Sequence, residues 1–358
     1  MNLQEFYKTY SSDCTAGSAN QVLTRDTEPV TRCGRIYYRL SHGGDTYSLL
    51  FSNQIDSTFA DGSISVANDV GGDWDILSLR VGLVDVRGTE PEVWHTVTFD
   101  GMKTRHVDAG DTDPFFCDPI PLSAKGGQYL CYEITVSGAC YPYHEEMTLN
   151  VVIRDGEHWV PSKKIPAPLM IGSDRAISRR IGFLGDSITQ GCGTEYDSYT
   201  HWVAKIAEGL PESDSVWDLG IGYARAYDAA TDRGWLARVK QCDVVNVCMG
   251  INDLLRGRTG EEVISDLTTI DRALKAAGCH VILFTVPPFD MTGDAKEYWY
   301  FVNDKIRLTL ANEAGAVFDI AAALGQDAPN AHMSVYGGHP NAEGCIVAAN
   351  AYLTAGLI

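Results

Sequence analysis

Residues Ile177–Gly191 read Ile-Ser-Arg-Arg-Ile-Gly-Phe-Leu-Gly-Asp-Ser-Ile-Thr-Gln-Gly, and this stretch decides the fold. Its first nine residues read as a strand that closes in the apolar run Ile181–Leu184, and Gly-Asp-Ser then breaks the run where a helix can start. A helical period follows over 199–210. The same grammar repeats downstream: strand 215–222 and helix 227–241, strand 242–250 and helix 260–278, strand 280–288 and helix 294–315, strand 316–320 and helix 341–357. Five β-then-α units predict a parallel sheet with helices on both faces. In such a sheet the ligand site lies beyond the carboxyl ends of the strands. There is no internal repeat and no low-complexity segment.

Upstream the grammar changes. The runs 35–40, 46–53, 75–86, 92–100, 128–138 and 147–155 are short, rich in β-branched and aromatic residues, and separated by Gly, Asp and Ser clusters such as 41–45, 59–63 and 125–128. Regular short strands between turn signals predict a β-sandwich or jelly roll. Apart from the first ten residues, nothing here has a helical period. The proline-containing segment Pro161–Pro168 reads as a stiff linker. The expected organisation is therefore a β-sandwich domain over 1–172 and an α/β domain over 173–358. Two domains agree with a length of 358 residues at about 150 residues per domain.

Composition narrows the function. With 47 Asp and Glu against 28 Lys and Arg, the formal charge is −19. A surface this acidic repels phosphate backbones and anionic head groups, which argues against nucleic-acid and membrane-surface roles. No apolar run reaches the ~20 residues of a spanning helix, and the first residues lack the pattern of a secretory signal. A cytoplasmic protein is expected. Ten cysteines occur without a Cys-x-x-Cys pair, several inside apolar runs. Most read as reduced, buried small hydrophobes, with no spacing suited to structural zinc.

The strand ends carry the chemistry. They are Gly185–Gly191, Asp218–Tyr223 and Gly250–Asp253, joined by Tyr336–Asn341 before the last helix. Ser187, between a strand and a helix, exposes a hydroxyl that needs a base to become a nucleophile. His339, flanked by Gly338 and Pro340, is the natural base. The Ser187 N–H, the Asn252 amide and a backbone N–H at Gly222 or Tyr223 could hold an oxyanion. A nucleophile, a base and three donors suffice for acyl transfer. Asp186 and Asp253 read as structural partners of their loops, and Tyr336 as a packed loop aromatic. The run 141–146 (Tyr-Pro-Tyr-His-Glu-Glu) reads as a solvated loop at the domain edge, with lining a cleft between the domains or binding a metal as the alternative. Tyr196, Tyr199, Trp202, Trp299 and Tyr300 read mostly as packing residues, with some able to serve as sugar platforms.

Gly-Asp-Ser at 185–187, Gly-Ile-Asn-Asp at 250–253 and Gly-His-Pro-Asn at 338–341 resemble, in this order, the sequence blocks of the SGNH hydrolases, the GDSL-type esterases and lipases. The resemblance covers about 178–358. It implies a three-layer α/β/α fold and ester hydrolysis, with Ser187 as nucleophile, Asn252 as oxyanion-hole asparagine and His339 as base. The second oxyanion donor falls on Tyr223, where the family usually has glycine. The family's Asp, three residues before the histidine, is here Tyr336. Some carbohydrate esterases of this superfamily use a Ser–His dyad with a backbone carbonyl in place of that carboxylate, and carry an N-terminal β-sandwich. The segments 49–53, 97–101 and 118–122 also resemble a two-domain branch that includes acyltransferases.

These readings converge on a two-domain serine esterase acting on a short acyl group, acetyl on a small-molecule or oligosaccharide ester, with no metal or organic cofactor. Two alternatives stand beside it: an acyltransferase using the same acyl-enzyme, and a carbohydrate-binding protein with a decayed catalytic domain. A homo-oligomer is compatible with the sequence. Two further expectations follow. A main-chain carbonyl within 334–338, freed by Gly337 and Gly338, accepts the second His339 ring proton. The β domain packs against the catalytic domain and supplies a rim to its site, through 141–146.

Overall fold

The computed structural model describes residues 1–59, 64–231, 233–310 and 315–358. The expected turn at 59–63 and the end of the expected helix at 294–315 therefore fall largely outside the described residues.

Among the described residues the N-terminal half holds two main antiparallel sheets. One joins Ser11–Ser12, Met170–Ser173, Gly43–Phe51 and Phe115–Phe116, with Ile120–Lys125 also on Gly43–Phe51. The other is built around Val30–Arg39, Tyr129–Gly138 and Trp74–Val84. Alternate residues of both sheets point into one core: Ile36 and Tyr38, Tyr47, Leu49 and Phe51, Leu130, Tyr132 and Ile134. The period-two pattern read from the sequence is this alternation. The Pro161–Pro168 segment is not a free tether. Ile165 is buried, Tyr132 Oη donates to the Pro166 carbonyl, and Tyr141 Oη donates to that of Lys164. Met170–Ser173, whose sequence carried no strand signal, then pairs with Gly43–Phe51.

The C-terminal half is a five-stranded parallel sheet. From one edge its strands are Asp214–Gly220, Arg179–Gly185, Val244–Cys248, His280–Phe284 and Ala316–Phe318. The order of the chain reverses beside Arg179–Gly185, the switch point at which doubly wound sheets bind ligands. Both faces are covered. Leu184, Val245, Val247 and Leu283 pack with Leu236, Leu267 and Val302 from Gly234–Val239, Gly260–Ala276 and Gly293–Lys305. Ile181, Phe183, Ile282 and Phe284 pack with Trp202, Val203 and Tyr352 from Trp202–Gly209 and Ala342–Ala355. Burial on both faces is why these strands read as unbroken apolar runs. The helix expected over 227–241 is instead two short pieces, Ala226–Ala229 and Gly234–Val239. Gly234, with φ +42°, leaves the right-handed helical region between them.

The two halves are joined by buried contacts. The opening helix Leu3–Thr9 places Phe6 and Tyr7 in the same core as Trp217 and Leu219. Asp56 and Arg238, both fully buried, pair at 2.5 Å, and Asp56 also accepts the Asn20 N–H at 2.7 Å. Removing either partner of such a pair strands a buried charge. No helix among the described residues is long and apolar enough to cross a membrane. All ten cysteines are free, and seven of them are buried.

Candidate active site

Ser187 is the first residue of the single-turn helix Ser187–Gln190, which leaves the carboxyl end of Arg179–Gly185. Asp186 caps this helix, its carboxylate accepting the Ile188 N–H at 3.0 Å. Gly191, in the left-handed region at φ +96°, ends it. The carboxyl of Asp186 is fully buried, and burial pushes its pKa up to about 7 against the Ile188 hydrogen bond, with Asp253 adding to the rise. Asp253 is likewise raised by burial, to about 6. It accepts the backbone N–H groups of Ala226 at 2.7 Å and Tyr227 at 3.2 Å. Both acids hold loops, as the sequence suggested.

His339 meets Ser187 from the loop before the last helix. Its Nε2 lies 2.9 Å from Ser187 Oγ, and its Nδ1 lies 2.9 Å from the carbonyl oxygen of Tyr336. The ring thus bridges the serine hydroxyl and a main-chain acceptor, the carbonyl expected from 334–338. Gly337 at φ +70° and Gly338 at φ +114° make the turn that aims this carbonyl. Among the described residues no carboxylate pairs with His339. Burial lowers the His339 pKa, partly offset by the Tyr336 carbonyl, so the ring is neutral near pH 7 and can accept a proton.

The oxyanion side departs from expectation at Gly222. Its N–H is engaged, donating to Gln190 Oε1 at 2.5 Å, so it offers nothing to a substrate. A Cβ there would lie 1.7 Å from Glu146 Oε2, so a larger residue would have to displace that carboxylate. The free backbone donor is the next one. The Tyr223 N–H has no hydrogen bond among the described residues, and Tyr223 sits in the left-handed region at φ +63°. That conformation suits glycine and costs a side-chain-bearing residue about 1–2 kcal/mol. Asn252 lies at the start of Ile251–Leu255, after Gly250 at φ +132°. Its amide donates one hydrogen to the Ala224 carbonyl at 3.0 Å, leaving the other free.

Beside these groups lies a cavity of about 500 Å³ lined by Phe59, Glu145, Glu146, Thr194, Tyr196 and Tyr336, among others. Two readings from sequence change here. Tyr336 is not packed: it is 67% exposed, lines the cavity, and its ring centroid is 4.7 Å from that of His339. The run 141–146 is not a solvated loop: Tyr141, Tyr143 and His144 are buried, and Glu145 and Glu146 face the cavity. The β half also contributes Phe59, whose ring meets Tyr223 edge-on at 4.9 Å. Of the aromatics singled out, Tyr199, Trp202 and Trp299 are buried, whereas Tyr196 is exposed and lines the cavity.

Three residues at the site carried no signal that was read. Gln190 lies inside the quoted 185–191 block, where a glutamine buried in a one-turn helix could have prompted the question of its partners. Gln21 and Ser57 touch Gly222 across 201 and 165 residues, and no local pattern marks them.

Residues 183–345 match the GDSL-like lipase/acylhydrolase family. No curated protein is significantly similar to the chain. Among solved structures it is similar to a member of the lipolytic protein G-D-S-L family from Veillonella parvula DSM 2008, at 22% identity over 49% of this chain and 96% of that one, with a TM-score of 0.40. It is also similar to a carbohydrate acetylesterase from Sinorhizobium meliloti, at 17% identity over 51% and 100% with a TM-score of 0.41. A third is a carbohydrate esterase family 3 structure from Talaromyces cellulolyticus, at 22% over 50% and 98%, also with a TM-score of 0.41.

Proposed function

We propose that this chain, whose C-terminal half belongs to the GDSL-like lipase/acylhydrolase family, is a serine esterase that removes short acyl groups, acetyl foremost, from a carbohydrate. The observation that carries the reading is the Ser187–His339–Tyr336 carbonyl chain, with 2.9 Å at each link. His339 Nε2 takes the Ser187 proton as Oγ attacks the ester carbonyl. The resulting oxyanion is held by the Ser187 N–H, the Tyr223 N–H and the free hydrogen of the Asn252 amide. His339 then protonates the leaving alcohol. A water, deprotonated by the same ring, attacks the acyl-enzyme and restores Ser187.

The acyl and alcohol preferences rest on the cavity. At about 500 Å³ it is within the usual range for small-molecule sites. Its lining mixes aromatic faces (Tyr196, Tyr336, Phe59) with the hydrogen-bonding groups of Glu145, Glu146 and Thr194, which suits a ring with both apolar faces and hydroxyls. The test is a panel of p-nitrophenyl esters of rising chain length and of acetylated sugars. Activity that peaks at acetyl and disappears in Ser187→Ala, with unchanged thermal unfolding, is expected. Preference for long chains, or activity retained in Ser187→Ala, would overturn the reading.

A further inference from the structure

The peptide between Gly222 and Tyr223 is clamped by the β half. The Gly222 carbonyl accepts from Gln21 Nε2 at 3.2 Å and from Ser57 Oγ at 3.3 Å. On the other side of the residue, the Gly222 N–H donates to Gln190 Oε1 at 2.5 Å. Gln190 Nε2 in turn donates to the Glu146 carbonyl. The Glu146 N–H donates to Gln21 Oε1 at 2.8 Å, and Gln21 Nε2 donates to Glu146 Oε2 at 2.8 Å. These bonds close a ring through Gln21, Glu146, Gln190 and Gly222. Two of its members come from the N-terminal half, one from the nucleophile's own helix, and one from the loop after the second parallel strand. Gln21, Ser57 and Gln190 are buried, so water does not compete freely for these bonds.

The Gly222 carbonyl and the Tyr223 N–H belong to one planar trans peptide and point in opposite directions. Whatever fixes the carbonyl therefore fixes the N–H. Donors on the oxygen also polarise the peptide and strengthen the N–H as a donor. We infer that Gln21 and Ser57 of the N-terminal β domain are positioning residues for the oxyanion hole: by holding the Gly222 carbonyl they aim the Tyr223 N–H at the developing oxyanion. The inference rests on the esterase reading. It gives the β domain a part in the chemical step that a cavity rim alone would not have. The left-handed Tyr223 sharpens the need, since a tyrosine leaves this conformation more readily than glycine unless its neighbours hold it.

The test uses the full-length protein with p-nitrophenyl acetate and a boronic acid, which adds to Ser187 as a tetrahedral anion. Gln21→Met keeps the side-chain volume and removes the donor to Gly222 together with both bonds to Glu146; Ser57→Ala removes the second donor to Gly222 alone. Gln21→Met is expected to lower kcat by about tenfold or more with KM within twofold. Boronate affinity should fall by about the same factor. Ser57→Ala is expected to do the same by a few-fold. Should Gln21→Met not fold, Ser57→Ala decides. Unchanged kcat in the folded variants, or a loss confined to KM or to thermal stability, would overturn the inference. Wild-type protein inactive on every ester would instead overturn the esterase reading, so the two failures are distinguishable.

Discussion

His144 ties the stability of the cavity wall to pH. Its side chain is 1% exposed, and neither ring nitrogen has a hydrogen-bond partner among the described residues. Burial, reinforced by the nearby Lys163 charge and opposed in smaller part by the Gln190 side chain, lowers its pKa from 6.5 to about 3. The sign follows from linkage. A histidine with a folded pKa below its unfolded value stays neutral in the native state while the unfolded chain takes up a proton. The associated stability is fully present above pH 6.5 and is lost progressively down to about pH 3. Between pH 7 and pH 5 the loss is about 2 kcal/mol. At pH 5 its size is set by the unfolded-state pKa, because the folded ring is still neutral there.

Other groups move the opposite way over this range. Asp13 and Asp253 near 6 and Asp186 near 7 are raised by burial, and each favours the folded state as pH falls. The measurement must therefore isolate His144. Urea unfolding of wild type and His144→Leu at pH 7 and pH 5 does so, since the carboxyls are common to both. The leucine variant is expected to lose about 2 kcal/mol less than wild type between the two pH values. Equal losses would refute the reasoning and mean that the ring finds a partner or solvent when it charges. A change of the opposite sign would mean that His144 is protonated in the native state.

Asn252→Ala is expected to lower kcat by ~10²–10³ with little change in KM, the usual effect of losing one oxyanion donor; an effect confined to KM in steady-state assays would make Asn252 a substrate-binding residue. Tyr336→Phe is expected to keep activity within about threefold, because the His339 acceptor is the backbone carbonyl and the phenol's removal leaves it in place. A loss of 10³ or more in kcat/KM would show the phenol acting directly.

The parallel sheet was legible because its strands are buried on both faces and the first three end in a glycine-containing turn, so Ile181–Gly185 and Val244–Gly250 announce both the strand and its end. The pairing of Ser187 with His339, 2.9 Å apart, was legible for the same reason: the fold puts strand ends together, and these are reactive types found there. What failed to show depends on contacts between distant residues. Gly234 looks like an ordinary helix glycine until its φ of +42° is known. Met170–Ser173 is too short for an alternation to register, and pairing with Gly43–Phe51 makes it a strand. The residues alone left Gly222 and Tyr223 open and only the family register pointed to Tyr223, because the choice turns on Gln190 taking the Gly222 N–H.

The two departures at this site act on opposite ends of the same charge separation. In the mechanism proposed above, a proton moves onto His339 in the transition state while negative charge grows on the substrate oxygen. The carbonyl orients the ring, at 2.9 Å, but it carries no net charge and stabilises the imidazolium less than a carboxylate would. The fixed donors on the oxyanion must then supply a larger share of the stabilisation, and donors do so only when held in place before the reaction. Tyr223, in a conformation a tyrosine does not favour, would be the weakest of them if left alone. The Gln21–Glu146–Gln190 ring and the Phe59 contact bear on this residue and its peptide. The β half is thus attached where the α/β half, with its substituted loop, has the greatest need of support, and the loss expected for Asn252→Ala lies toward the upper end of ~10²–10³.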